Sequence, residues 1–169
     1  ALFRSFDDGV SWNYVSTGLQ SIDELAYNNG FIYVGTINGV YSSSNNGTSW
    51  NQLFNGYARS YLYALAFNTS HIFVGSFGGG IFVSNSAGTN WTAANSGLIN
   101  SYILSASAGD STLYVSSNLG RIYKSRNGGN TWTATTKITN LYNNPTYILS
   151  LNDSTIYAAI PSAGVYVST

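Results

Sequence analysis

The octapeptide Ser5-Phe6-Asp7-Asp8-Gly9-Val10-Ser11-Trp12 returns three times along the chain, as Ser43-Ser44-Asn45-Asn46-Gly47-Thr48-Ser49-Trp50, Ser84-Asn85-Ser86-Ala87-Gly88-Thr89-Asn90-Trp91 and Ser125-Arg126-Asn127-Gly128-Gly129-Asn130-Thr131-Trp132. All four tryptophans of the 169 residues close a copy of it, at spacings of 38, 41 and 41 residues. Each position has a mechanical reason. The third residue (Asp7, Asn45, Ser86 or Asn127) carries a short polar side chain that can bond to backbone N–H groups ahead of it and close a tight turn. The fifth residue (Gly9, Gly47, Gly88 or Gly129) supplies positive φ at little cost. The tryptophan opens the outgoing strand, where its ring is expected to bury against a neighbouring element and its N–H to find an acceptor.

A period near 40 residues is that of propeller or solenoid repeats. Within each period four short strands are legible, bounded by turn residues and too short for helices. The chain enters part-way through a unit, with Leu2-Phe3-Arg4-Ser5 as a third strand and Ser11-Trp12-Asn13-Tyr14-Val15 as a fourth. Three whole units follow. In the first of them Asn29-Gly30 is a two-residue hairpin signal. Gly78-Gly79-Gly80 reads as a wide turn or as a point of close approach by backbone or ligand. After a longer connection at 137–145 the last unit supplies first, second and third strands, ending at Val165-Tyr166-Val167-Ser168.

These four motifs resemble the Asp-box, or bacterial neuraminidase repeat (BNR), which joins the third and fourth strands of a β-propeller blade. The resemblance runs through the whole chain and implies an all-β propeller of four-stranded antiparallel blades, with repeats at about 5–42, 43–83, 84–124 and 125–167 of a single segment, 1–169. Asp-boxes occur in sialidases, xyloglucan-hydrolysing glycosidases, sortilin-type receptors and a photosystem assembly factor, generally away from the active site. Only Asp7 keeps the acid; Asn45, Ser86 and Asn127 keep the turn chemistry without the charge, which argues against four metal sites. The N-terminal third strand duplicates the C-terminal one, so the ring is expected not to close on itself. Exposed edges template further pairing, so more blades of a longer chain, or self-association through open edges, are the expected ways of covering them.

Charged residues make up 7% of the sequence and the formal net charge is zero, which leaves no basic footprint for nucleic acid. No stretch approaches the roughly 18 apolar residues of a membrane helix. Cysteine is absent, which removes disulfides, thiol nucleophiles and Cys-based zinc sites. The six acids are Asp7, Asp8, Asp23, Glu24, Asp110 and Asp153. A glycosidase needs two facing each other across a sugar, yet Asp23 and Glu24, as sequence neighbours on a strand, point to opposite faces. Asp110 and Asp153 fall at turns, where turn formation is their ordinary role. His71 has no second imidazole nearby, and neither a metal nor a cofactor is expected.

What remains is aromatic. Tyr61, Tyr63, Tyr102, Tyr142 and Tyr147 fall near the starts of first strands or in the loops before them, and Arg59 in a connecting loop is the one arginine placed for a ligand. Tyr with Asn and Ser offers flat apolar faces and hydrogen bonds at low ordering cost, a surface suited to sugars or peptides. The expectation is a secreted or cell-surface scaffold or binding module without catalysis, taking a protein or glycan ligand. The alternatives are a segment of a sialidase- or xyloglucanase-like hydrolase, its catalytic residues largely elsewhere, and a self-assembling structural protein.

Overall fold

The computed structural model describes residues 1–15, 18–54, 61–85, 87–135, 138, 146–161 and 163–168. Seventeen strands and no helix occur among them, in five antiparallel sheets. The first sheet pairs β1 (Leu2–Arg4) with β2 (Asn13–Val15). The second runs β3 (Ile22–Asn28), β4 (Phe31–Thr36), β5 (Gly39–Ser43), β6 (Asn51–Phe54). The third comprises β7 (Leu62–Phe67), β8 (His71–Ser76), β9 (Gly80–Asn85) and β10 (Trp91–Ala93), and the fourth β11 (Ile103–Ala108), β12 (Leu113–Ser117), β13 (Ile122–Ser125) and β14 (Thr133–Ala134). The last has three strands, β15 (Tyr147–Ser150), β16 (Ile156–Ile160) and β17 (Gly164–Ser168). Two strands, three sheets of four and a final three is the order legible in the sequence. Internal contacts divide the chain into two compact units, Ala1–Leu62 and Tyr63–Thr169.

Three of the four motifs build the same turn. Ser5, Ser43 and Ser125 each accept at Oγ from the glycine N–H four residues on and donate to the Asp or Asn two residues on. Asp7, Asn45 and Asn127 in turn accept at Oδ1 from the backbone N–H of Ser11, Ser49 and Thr131, each at 2.9 Å. Where Asp7 accepts the Ser11 hydroxyl at Oδ2, Asn45 and Asn127 donate from Nδ2 to Ser49 and Thr131. A hydroxyl that rotates to suit its partner lets acid and amide serve alike. These bonds hold the Asp7 carboxyl down at about 2.

The third motif departs from this pattern. Ser86 lies outside the described residues; the Asn85 carbonyl accepts from Gly88 N and its Oδ1 from Thr89 N. The turn lies one residue nearer the N-terminus than in the other three, and the Asn85 amide closes it by donating to Thr89 Oγ1 while accepting from Thr89 N.

The tryptophans differ more sharply. Trp12, Trp50 and Trp91 bond their indole N–H to Gly9, Gly47 and Gly88 of their own turns. Trp132 instead donates to the Ala94 carbonyl at 2.7 Å and is 4% exposed. It completes a core with Ala64, Ala66, Phe73, Ile81 and Ala94 of the third sheet and Ile103, Leu113, Val115 and Tyr123 of the fourth. The expected burial fails at Trp12, which is 63% exposed beside a sheet of only two strands. The third and fourth sheets pack closely at Gly75, where an added Cβ would lie 2.5 Å from Ile103 Cγ2 and 2.9 Å from Ala64 Cβ.

The fourth and fifth sheets meet through a small apolar core of Tyr114, Ile122, Ile148, Ile156 and Ala158 and through hydroxyls. Ser105 Oγ donates to Ile148 O and accepts from Ile148 N, Ser107 Oγ accepts from Ser150 N at 2.7 Å, and Ser116 donates to the Thr146 carbonyl. Asp153 extends this seam, and its role is not the local turn expected from sequence. The local turn is closed by Asn152, which accepts from Ser154 and Thr155 N–H, while the Asp153 carboxylate reaches the neighbouring sheet's turn to accept from Ser111 and Thr112 N–H.

Candidate ligand-binding surface

Tyr63 on β7, Phe77 just after β8 and Tyr102 just before β11 form a ring array. Phe77 packs edge-on against both neighbours, with centroids 5.9 Å from Tyr63 and 4.5 Å from Tyr102. Phe77 and Tyr102 also pair as an isolated antiparallel bridge, so the rings are fixed by main chain as well as by contact. Tyr102 is 41% and Phe77 40% exposed. Edge-to-face stacking fixes the ring angles, and the exposed parts of the faces stay open to a partner.

The frame around the rings is polar and rigid. Asn100 Oδ1 accepts from Tyr102 N, Asn100 Nδ2 donates to Asn118 Oδ1, and Asn118 N donates to Tyr102 O. Gly78 and Gly80 N–H both donate to Ser101 O. The glycine run is settled by a side chain, since a Cβ on Gly80 would lie 2.2 Å from Asn95 Oδ1. That oxygen accepts from Ile81 N, and Asn95 Nδ2 donates to Gly79 O. Gly78 and Gly80 take φ of 110° and 80°, so the turn needs glycine both for conformation and for the amide against it.

Of the tyrosines expected at a ligand, Tyr63 and Tyr102 come together, and Phe77 between them is the residue that sequence reasoning missed. Its signal was present: an aromatic standing between Ser76 and three glycines has no strand neighbour to bury it. Tyr147 belongs elsewhere, to one face of the fifth sheet, where Leu149, Tyr157, Val165 and Val167 are also exposed. Tyr61 is exposed in the first unit. Arg59 and Tyr142 lie outside the described residues.

A bulge in β3 between Ile22 and Glu24 leaves Asp23 without a cross-strand partner. Burial raises both carboxyls, Glu24 to about 7. The same bulge recurs between Ile103 and Ser105 of β11, where no acid stands, so it is a property of the repeat. Among the described residues no group of three His, Asp or Glu could hold a metal ion, and no helix is long and apolar enough to cross a membrane.

No protein-family model and no curated protein matches the sequence. Solved structures do. An ancestral GH74 enzyme superposes with a TM-score of 0.73 at 23% identity, covering 98% of this chain and 26% of its own. The extracellular domain of a hybrid two-component system from B. thetaiotaomicron gives 0.64 at 18% identity, over 92% of this chain and 22% of its own. YCF48 bound to D1 peptide gives 0.68 at 16% identity, over 98% of this chain and 56% of its own. The chain thus spans about a quarter of the first two. The fold is of the β-propeller type, all-β and built of antiparallel blades.

Proposed function

We propose that this chain is an Asp-box β-propeller segment of a secreted or cell-surface protein, acting as a binding module without catalysis, and that the Tyr63–Phe77–Tyr102 array takes a glycan. The ring array itself carries the reading. A pyranose presents a C–H face that lies flat on an aromatic ring and hydroxyls that bond amides at its rim, and the Asn100–Asn118 pair supplies such amides. The extracellular domain of similar fold supports the compartment. A glycan array probed with this chain tests the proposal. Binding to one sugar class, lost tenfold or more in Tyr102→Ala with an unchanged circular dichroism spectrum, is expected; flat signals across sugars overturn it.

One observation favours a second reading, that of a segment of a glycoside hydrolase. Glu24 is held near neutral pKa by burial, as a general acid requires, and the GH74 enzyme shares the fold. Turnover of a labelled oligosaccharide by the full-length protein, abolished by Glu24→Gln, would establish that reading. Turnover untouched by the substitution removes its basis.

A further inference from the structure

Asparagine followed by glycine occurs five times, at Asn29, Asn38, Asn46, Asn55 and Asn127. The dipeptide is chemically labile, because the glycine nitrogen can attack the asparagine Cγ with no Cβ of its own in the way. In sequence the five are alike. The fold separates four of them, and Asn55 lies outside the described residues.

Two of the four belong to the repeated motif, whose bonds shield them in different ways. At Asn46 the nucleophile is occupied: Gly47 is buried and its N–H donates to Ser43 Oγ at 2.9 Å. An acceptor on that N–H stabilises the protonated amide and fixes its direction. The same bond covers the acidic counterpart Asp8-Gly9, where Gly9 N donates to Ser5 Oγ. At Asn127 the side chain is occupied, since Oδ1 accepts from Ser125 Oγ and Thr131 N while Nδ2 donates to Thr131 Oγ1. Turning Cγ towards the Gly128 nitrogen would break these bonds. The third pair is held by main chain: Asn38 N donates to Thr36 Oγ1, Asn38 O accepts from Gln52 Nε2, and Gly39 is buried and paired with Thr36.

Asn29-Gly30 has none of these restraints. It forms the two-residue tip between β3 and β4, beyond their last pair, Asn28 with Phe31. Both residues are exposed, at φ of 48° and 83°, and nothing lies within 4 Å of where Gly30 would carry a Cβ. Among the described residues no hydrogen bond holds the Asn29 amide or the Gly30 N–H.

We infer that Asn29 is a site of spontaneous deamidation, and that the repeated motif shields Asn46 and Asn127 from the same reaction. The Gly30 nitrogen, its proton lost to hydroxide, bonds to Asn29 Cγ; the bond from Cγ to Nδ2 breaks and ammonia leaves. Water then opens the five-membered imide at either carbonyl, giving aspartate or isoaspartate at position 29. Each event adds one negative charge to a chain of zero formal net charge. Isoaspartate also puts an extra methylene into the backbone of a two-residue turn.

The test incubates the folded chain at pH 8 and follows each Asn-Gly peptide by digestion and mass spectrometry. Conversion at Asn29 should run about tenfold or more ahead of Asn38, Asn46 and Asn127, and the four rates should converge in urea, where the shielding bonds are gone. Ser43→Ala should speed conversion at Asn46 roughly fivefold, as expected for the loss of one hydrogen bond, and leave the rates at Asn29 and Asn127 unchanged. Conversion at Asn46 or Asn127 as fast as at Asn29 in the folded chain overturns the inference. So does the same spread of rates in urea, because the local sequence would then set them, and so does a rate at Asn46 indifferent to Ser43→Ala.

Discussion

Replacing Trp132 with alanine should cost far more than the same change at Trp12, although the two close copies of one motif. Trp132 is 4% exposed within the core between two sheets, and its N–H is the donor to Ala94 O. Emptying such a site costs about 3–5 kcal/mol, the lost transfer energy and the cavity together. Trp12 is 63% exposed and bonds only within its own turn, which limits the loss to about 0.5–1 kcal/mol. Trp91, half-buried and bonded to Gly88, should fall between. Trp132→Phe separates the two contributions, since it keeps a ring and leaves the Ala94 carbonyl without its donor, at about 1–2 kcal/mol. Equilibrium urea unfolding followed by far-ultraviolet circular dichroism gives all four values. Losses for Trp12→Ala and Trp132→Ala that agree within about 1 kcal/mol, beyond the usual scatter between sites, would refute the reasoning, because the motif alone would then set the energy.

Three further outcomes follow from named groups. Glu24 is raised from 4.5 to about 7, so the folded state keeps a proton that the unfolded state releases. Stability should fall as pH rises across that window, and Glu24→Gln should remove the slope, worth about 1–2 kcal/mol once solvent screening of a partly exposed group is allowed for; urea midpoints at pH 5 and pH 8 measure it. Asp153 is lowered by its bonds from Ser111 and Thr112, so its contribution is present above its ordinary 3.8 and lost on acidification below that, and Asp153→Asn should flatten the acid limb of the same profile. Gly75→Ala should cost about 1–3 kcal/mol by overpacking, and thermal melts should show it costing less in an Ile103→Ala background, which lacks the colliding Cγ2.

How far the sequence spoke depended on how local the chemistry was. The strand order was legible because each unit carries its own turn signals and its own tryptophan. Asp7, Asn45 and Asn127 were legible as turn residues because their bonds reach no further than four positions. Asn85 was not, since the spacing of the motif puts its turn-closing residue one position later. The different fates of Trp12 and Trp132 depend on a neighbouring sheet, which no eight-residue motif encodes. Tyr102 was selected for being a tyrosine before a first strand, whereas Phe77 was missed because its partners come from two other strands. Asp153 shows the same limit: its bonds cross 41 and 42 residues.

The hydroxyl seam between the fourth and fifth sheets gives this chain two kinds of joint. The joint around Trp132 is apolar, so its strength follows the heat capacity of hydration and fades on cooling. The joint between the fourth and fifth sheets buries Tyr114, Ile122, Ile148, Ile156 and Ala158 but adds to them the hydrogen bonds of Ser105, Ser107, Ser116 and Asp153, whose strength changes little over the same range. Cold should therefore loosen the third sheet from the fourth first, while the fourth and fifth stay joined. Hydrogen exchange near freezing would report this as faster exchange at the backbone and indole N–H of Trp132, which bond to Ser96 O and Ala94 O, with Ile148 and Ser150 still protected by the serine oxygens that hold them.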